Sequence, residues 1–451
     1  MICNDVIIGE DGWLFLHSGG QKQHQHLKGE IHPTQNSIYN FKKNILSRNS
    51  FCHDRNIPFM HIVFPTKDLV EIDNLPETNR VGLQSLYERH YAPAFEGDTP
   101  SCLYYPLNFL KFRNIEERMF YKLDTHLSSM GRIEITKLIL RHFDLNVHVE
   151  SYLNLTLKKI PGDLSKMLGD PMVSLEKIVF PAFRTARSYD NREYLTGNTG
   201  NIIISSNAAA LYKKRLFICG DSFIALCLPY LSIFFEDVIY IRSESFQKDA
   251  AELFKPDLII SGNAERYLSL VRDDELSESV TLSTYGSSDY ETSIEFADAL
   301  RAQLSFKYHH NSYRKWRARE FKKPIPAPSA LGYGSANAML EPMSSGETGF
   351  RSTGCDPQII FSNIEIDKRR DHLFKITFES NVTSHLVLHL SDTQGLKYPF
   401  SKINCFSAPV AVGLNEIEIK IPSGNYGPFL RVDPIACEGV ITIFDISIGA
   451  L

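Results

Sequence analysis

No C-x-x-C pair occurs in the 451 residues, although the chain has 8 cysteines. Cys3, Cys52, Cys102, Cys219, Cys227, Cys355, Cys405 and Cys437 are scattered, and the closest spacing, Cys219 to Cys227, suits neither a zinc site nor a dithiol redox centre. Several sit in apolar runs, where a thiol behaves as a small buried hydrophobe, so free structural cysteines in a reducing compartment are expected. His24 with His26 and His309 with His310 lack companion ligands at metal spacing, so no metal site is expected. No apolar run reaches the ~18 residues of a membrane-spanning helix. The opening MICNDVIIGEDGWLFL has neither a basic start nor a long apolar stretch; no secretory signal is read there, and a cytoplasmic chain is the expectation. Positive charge is not in excess: Lys plus Arg 48 against Asp plus Glu 53 leaves −5, which removes nucleic acid as the expected partner. No glycine-rich phosphate loop announces a nucleotide.

What is present is ordinary for a globular chain. Hydrophobic residues at 43% and charged residues at 22% exclude a wholly disordered or fibrous protein. The length suits two or three domains at roughly 150 residues each and buries a core without covalent staples.

The pattern changes along the chain. IIGEDGWLFL, residues 7–16, reads as two short strands around Asp11-Gly12. A helix is expected over Pro33–His53, a buried parallel strand over residues 58–65, and a helix over Ser128–Phe143 with a serine at its start. Around residue 220 the strand RLFIC, the turn GDS, an apolar helix FIALCLPYLSIFF and the strand DVIYI follow one another. DLIIS and a helix from about Asn263 come next. Strand and helix in alternation predict an α/β fold with a parallel sheet, over residues 1–305. Residues 306–323 carry seven Lys or Arg interleaved with aromatics, read either as an arm packed on the preceding domain or as a surface for an anionic partner. A Pro-, Gly- and Ser-rich stretch continues to 349 as a linker. From 350 to 451 period-two strands predict a C-terminal β-sandwich, jelly-roll-like. In it Tyr398, Phe400, Tyr426 and Phe429 serve either as core or as sugar-stacking rings.

Two segments carry chemistry. In Gly220-Asp221-Ser222 a serine stands between a buried strand and a helix, with its hydroxyl on a sharp turn near helix N–H groups that can hold an oxyanion. Glycine before it permits the tight path. A serine needs a base, and Asp124-Thr125-His126 offers one: Asp124 can take one imidazole N–H and leave the other nitrogen for Ser222. Asn263 is a candidate oxyanion donor or a helix cap; Arg242, at a strand end, is a candidate ligand contact or a structural arginine. Lys67 after FPT is read in the same way as Arg242.

GEDGWLFL, FPTKDL, DTH before a helix, GDSF after a strand, and FKPDLIISGNAERYL occur in one order. That order, over about residues 7–270, resembles the SGNH-hydrolase-like domain of the alginate O-acetyltransferases of the AlgX/AlgJ type. The resemblance implies a parallel sheet flanked by helices, Ser222 as acetyl-accepting nucleophile, His126 as base then acid, and Asp124 as orienting carboxylate. It implies a polysaccharide or oligosaccharide acceptor, with other glycan-synthesis enzymes as possible partners. An acetyl donor, acetyl-CoA or another acyl carrier, is required, with no tightly bound cofactor. Two features depart from the family: Leu127 stands where tryptophan is common, and no export signal or membrane anchor is read here. FLRVDPIACEGVITIFDISI looks like a jelly-roll module attached to glycan-synthesis enzymes. An O-acetyltransferase is therefore the expected function. An acetylesterase using the same triad and a non-catalytic glycan-binding protein are the alternatives.

Overall fold

Residues 2–169, 172–181, 186–208, 210–285, 291–321, 339–342, 349–362, 366–392 and 400–450 are described by the structure, a computed structural model. At its centre Tyr212–Gly220 lies between Leu258–Ala264 and Phe235–Arg242 in a seven-stranded sheet. Phe59–Phe64 and Leu103–Tyr104 continue the sheet beyond Leu258–Ala264, and these five strands are parallel. The apolar runs have a simple cause, because both faces are covered. Leu216, Ile218 and Ile260 face Ile133, Ile139 and Leu231, from helices Ser129–His142 and Leu228–Phe234. Phe217, Cys219 and Ile259 face Ala250, Phe254 and Phe296, from helices Lys248–Phe254 and Ile294–Leu304.

The sheet is mixed where an all-parallel one was expected. Ile202–Asn207 pairs antiparallel with both Phe235–Arg242 and Ala186–Asp190 at one edge. The links on either side of Ile202–Asn207 are too short to carry a crossover helix, so antiparallel pairing is the arrangement they permit. The run after Ser222 also differs from the single helix expected. It is broken into Ser222–Ala225 and Leu228–Phe234, with Pro229 in the first turn of the second, and Phe235 already belongs to the next strand. Proline cannot continue a helix from the preceding turn, but it suits a helix start. DLIIS runs further than expected, to Ala264, and is followed by the short 3-10 turn Glu265–Ser269. Ser128 caps its helix by accepting from Gly131 N, and Thr34 does the same for Gln35–His53 from Ser37 N. All eight cysteines are free, and Cys52, Cys102, Cys219 and Cys227 are buried.

The boundary expected at 305 moves. Helix His310–Phe321 buries Tyr313 and Trp316 against the sheet's second face, so the basic stretch is a packed arm over these residues. Its anchor is Asp237, fully buried, which accepts from Arg215 Nη1 (2.6 Å), Tyr313 Oη (2.5 Å), Gln303 Nε2 (2.8 Å) and Ser206 Oγ (2.6 Å). The Arg215 guanidinium lies over Phe254 and Phe306, 4.0 and 3.9 Å from their centroids.

Beyond residue 339 the described residues form β-strands joined by turns and loops. A five-stranded sheet joins Leu340–Pro342, Gly349–Ser352, Gly439–Ala450, His372–Ser380 and Gly413–Ile421. A four-stranded sheet joins Ile359–Ser362, Tyr426–Asp433, Ser384–Asp392 and Phe400–Val410. Phe374, Ile376, Leu386, Leu388, Val432 and Ile441 alternate into one core between them. Leu340–Pro342 forms a strand inside the expected linker; most of that linker, and Tyr398, lie outside the described residues. Phe429 is buried among residues of the seven-stranded sheet's core, and Phe400 packs against the same cluster, so core packing accounts for both rings.

A hairpin outside the sheet was also not foreseen. Leu153–Pro161 and Val173–Pro181 form a separate two-stranded antiparallel hairpin, joined through the short helix Asp163–Met167.

Candidate active site

The serine turn is held from three sides. A Cβ on Gly220 would overlap the carbonyl of Gly262 on the neighbouring strand, so glycine is needed where the two strands approach. Asp221 caps the helix, accepting from Phe223 N at 2.8 Å, and its other oxygen accepts from Ala264 N at 2.7 Å. Tyr240 Oη reaches the carbonyls of Gly220 and Asp221, each at 3.0 Å. Burial raises the Asp221 carboxyl against the two backbone N–H groups and Arg266 that favour its ionised form. Capping uses the Phe223 N–H, which is therefore not available to an oxyanion, contrary to the general expectation for that helix end.

The loop Lys122–Ser128 is anchored by Lys67. Its buried ammonium donates to the carbonyls of Leu14 (2.7 Å), Tyr121 (2.7 Å), Lys122 (2.8 Å) and Asp124 (3.0 Å). It stands 4.9 Å from the Trp13 ring and 5.1 Å from the Phe15 ring. Burial brings the ammonium down to about 8, opposed by Glu71, Asp124, Asp163 and Asp68. Lys67 thus ties the N-terminal hairpin to the loop that carries Asp124 and His126, and it makes no contact with the serine itself.

On this loop Asp124 Oδ1 accepts from His126 N (2.9 Å) and pairs with His126 Nδ1 (2.8 Å). His126 Nε2 lies 3.2 Å from Ser222 Oγ. A carboxylate at Nδ1 assigns the proton to that nitrogen, which leaves the Nε2 lone pair facing the serine hydroxyl. The imidazole also packs at 5.2 Å from the Phe223 ring, the residue next to the serine. Burial alone would raise Asp124, but the His126 N–H bonds and charge, with the Asp163 N–H, outweigh it and bring Asp124 down to about 2.

Asp163 completes the cluster and was not foreseen. Its N–H donates to Asp124 Oδ2 (3.0 Å), and its carboxylate accepts from Thr125 N (2.8 Å) and Thr125 Oγ1 (2.5 Å). Asp163 Oδ2 lies 3.5 Å from His126 Nδ1. A Cβ at Gly162 would overlap the Leu123 carbonyl, so glycine lets this helix start approach the loop. PGDLSKM carries the signal of a helix start, but nothing in its spacing joins it to His126. Asp124, His126 and Asp163 also offer ligand atoms within 4.8 Å of one another. A cation there would take the lone pairs that Asp124 directs at His126, so ion binding and the hydrogen-bonded relay exclude each other.

The structure brings Ser222, His126 and Asp124 together and places the other candidates around an adjoining cavity. This cavity, about 260 Å³, opens at the C-terminal ends of the central strands beside Gly220 and Asp221. Arg242 and Asn263 line it, with Arg48 and His61 deeper in. Asn263 stands one residue before the end of Leu258–Ala264 and caps no helix; its Nδ2 makes a 3.3 Å bond to the Ala264 carbonyl.

Asp124 gives an acid signature. The unfolded carboxyl, near its ordinary 3.8, takes up a proton before the folded one at about 2. The unfolded state therefore binds more protons in this window, and stability falls as pH falls. The contribution is complete above about pH 5 and is lost progressively as pH falls toward about 1. Urea melts across that range should show a steeper loss for the wild type than for Asp124→Asn; parallel curves would contradict the assignment.

No family model matches the chain, and no curated relative matches it. Among solved structures it is similar to PatB1 of Bacillus cereus, with 15% identity and TM-score 0.43 over 58% of this chain and 97% of that one. It is similar to the O-acetyltransferase domain of Pseudomonas putida AlgJ, with 15% identity and TM-score 0.36 over 62% and 99%. Pseudomonas aeruginosa AlgX is similar over 99% of this chain and 94% of its own, with 9% identity and TM-score 0.37. These likenesses assign no chemistry to the chain.

Proposed function

We propose that the chain is a serine acyltransferase that moves an acetyl group to a hydroxyl of a polysaccharide or its precursor. The observation that carries the reading is the hydrogen-bonded series Asp124, His126, Ser222, at 2.8 and 3.2 Å. In the first half His126 takes the Ser222 proton as Oγ attacks the acetyl carbonyl, and returns it to the departing donor group. In the second half it takes the proton of the acceptor hydroxyl, whose oxygen attacks the acetyl-serine, and returns that proton to Ser222 Oγ as the acetyl–serine bond breaks. Asp124 stabilises the imidazolium in both halves. The Asn263 amide, at the cavity wall beside His61 and bonded to the Ala264 carbonyl, is the side chain we assign to the oxyanion, and Arg242 to the ligand. The acetyl group arrives on a diffusible donor, acetyl-CoA or another acyl carrier. Acetyl, rather than a larger acyl group, follows from the motif order shared with the alginate O-acetyltransferases.

One observation favours a hydrolase as second reading: the His126 side chain is 23% exposed, so water can reach the base. Incubation with p-nitrophenyl acetate, with and without an oligosaccharide mixture, separates the two. A transferase gives acetylated sugar at the expense of free acetate; acetate alone, unchanged by sugar, would make the protein an esterase.

A further inference from the structure

We infer that the hairpin of Leu153–Pro161 and Val173–Pro181 docks the protein on an anionic lipid surface. The pairing of Leu157 with Lys177, and of Lys159 with Leu175, puts these four side chains on one face. Leu155 and Val173 extend the same face at its two ends, and Leu157 and Leu175 are diagonal neighbours. Leu155, Leu157, Val173 and Leu175 are 57%, 59%, 56% and 58% exposed, which makes a continuous apolar stripe open to solvent. Residues 155–159 are exposed on both faces, so the first strand is the outer edge of the hairpin, while Glu176 and Val179 of the second strand are buried against the body. Met167 and Met172, near the turn end, are 40% and 42% exposed.

Charge selects the occupant. Among the described residues of 153–181, four exposed lysines, Lys158, Lys159, Lys166 and Lys177, stand against one partly exposed acid, Asp163. The described acids are both engaged by the body: Glu176 is buried and accepts from Lys122 N, and the partly exposed Asp163 accepts from Thr125 N. Lys177 pairs with Glu117 on the body. A chain of net charge −5 thus gathers exposed cations on this hairpin, Lys159 and Lys177 on the face of the apolar stripe and Lys158 on the opposite face. That is the chemistry of an interfacial element: apolar side chains enter the acyl boundary while lysines extend to anionic headgroups. A bilayer surface is the occupant, and no helix among the described residues is long and apolar enough to cross one. Helix Asp163–Met167 connects the two strands and contacts Asp124, so docking would hold the catalytic loop beside the surface.

The test uses the full chain and sedimentation with phosphatidylcholine vesicles, with and without phosphatidylglycerol. Phosphatidylglycerol should raise binding at least about tenfold at low salt, and salt should reverse most of that gain. Leu157→Glu with Leu175→Glu should abolish binding, and Lys158→Glu with Lys159→Glu should abolish the lipid preference, both with unchanged circular dichroism. Neither pair belongs to the active site, so hydrolysis of p-nitrophenyl acetate in solution should be unaffected whatever the outcome with lipid. Absence of binding to phosphatidylglycerol vesicles, or binding indifferent to both pairs, would overturn the inference. So would a dimer in sedimentation equilibrium that Leu157→Glu dissociates, because a second copy would then be the occupant.

Discussion

Ser222→Ala is expected to lower acetyl turnover by at least about 10³-fold, and His126→Ala by a similar amount. Without Oγ no acyl-enzyme forms, and without the imidazole nothing at 3.2 Å accepts the serine proton. The losses should not add in the double variant, since each residue acts only through the other. Asp124→Asn should also be severe, because an amide at Nδ1 no longer dictates which imidazole nitrogen carries the proton. Intact-protein mass spectrometry after brief exposure to p-nitrophenyl acetate is the direct check. Wild type should gain about 42 Da, an acetyl replacing a hydrogen, and Ser222→Ala nothing. Near-normal turnover in Ser222→Ala would sink the covalent mechanism and leave direct transfer to the acceptor.

The largest stability effect is expected far from this chemistry. Asp237→Ala removes the acceptor shared by Arg215, Gln303, Tyr313 and Ser206, in a site with no solvent exposure. It leaves the guanidinium of Arg215 buried and uncompensated, at a cost of about 3–5 kcal/mol. Because Tyr313 belongs to helix His310–Phe321, the arm should loosen with the core, and trypsin should cut among its basic residues. Arg215→Met combined with Asp237→Leu should recover much of the loss, since replacing both charges removes the unpaired one. Thermal unfolding followed by circular dichroism tests this. A transition for Asp237→Ala that coincides with wild type would show that the network contributes little.

Some of this was legible in the residues themselves. Phe59–Phe64, Tyr212–Gly220 and Leu258–Ala264 announced buried strands because a strand covered on both faces has no polar side to show. A serine before the apolar pattern of Ser128–Phe143 marked a helix start because capping is local chemistry within a few residues. The pairing of the Asp-x-His loop with the GDS turn was also readable, since each motif needs what the other supplies. Relations across long separations were not. Asp163 reaches Asp124 from 39 residues away, a distance no periodicity encodes. Lys67 could be read as a ligand contact or as a structural cation; only the folded chain brings four carbonyls from two segments around its ammonium. The antiparallel edge of the sheet and the basic arm's attachment through Asp237 were likewise decided by tertiary packing. Composition determined which segments are buried and which residues carry chemistry, because burial and capping depend on near neighbours. Which buried polar group meets which depends on how distant segments converge, and that is settled only when the whole chain packs.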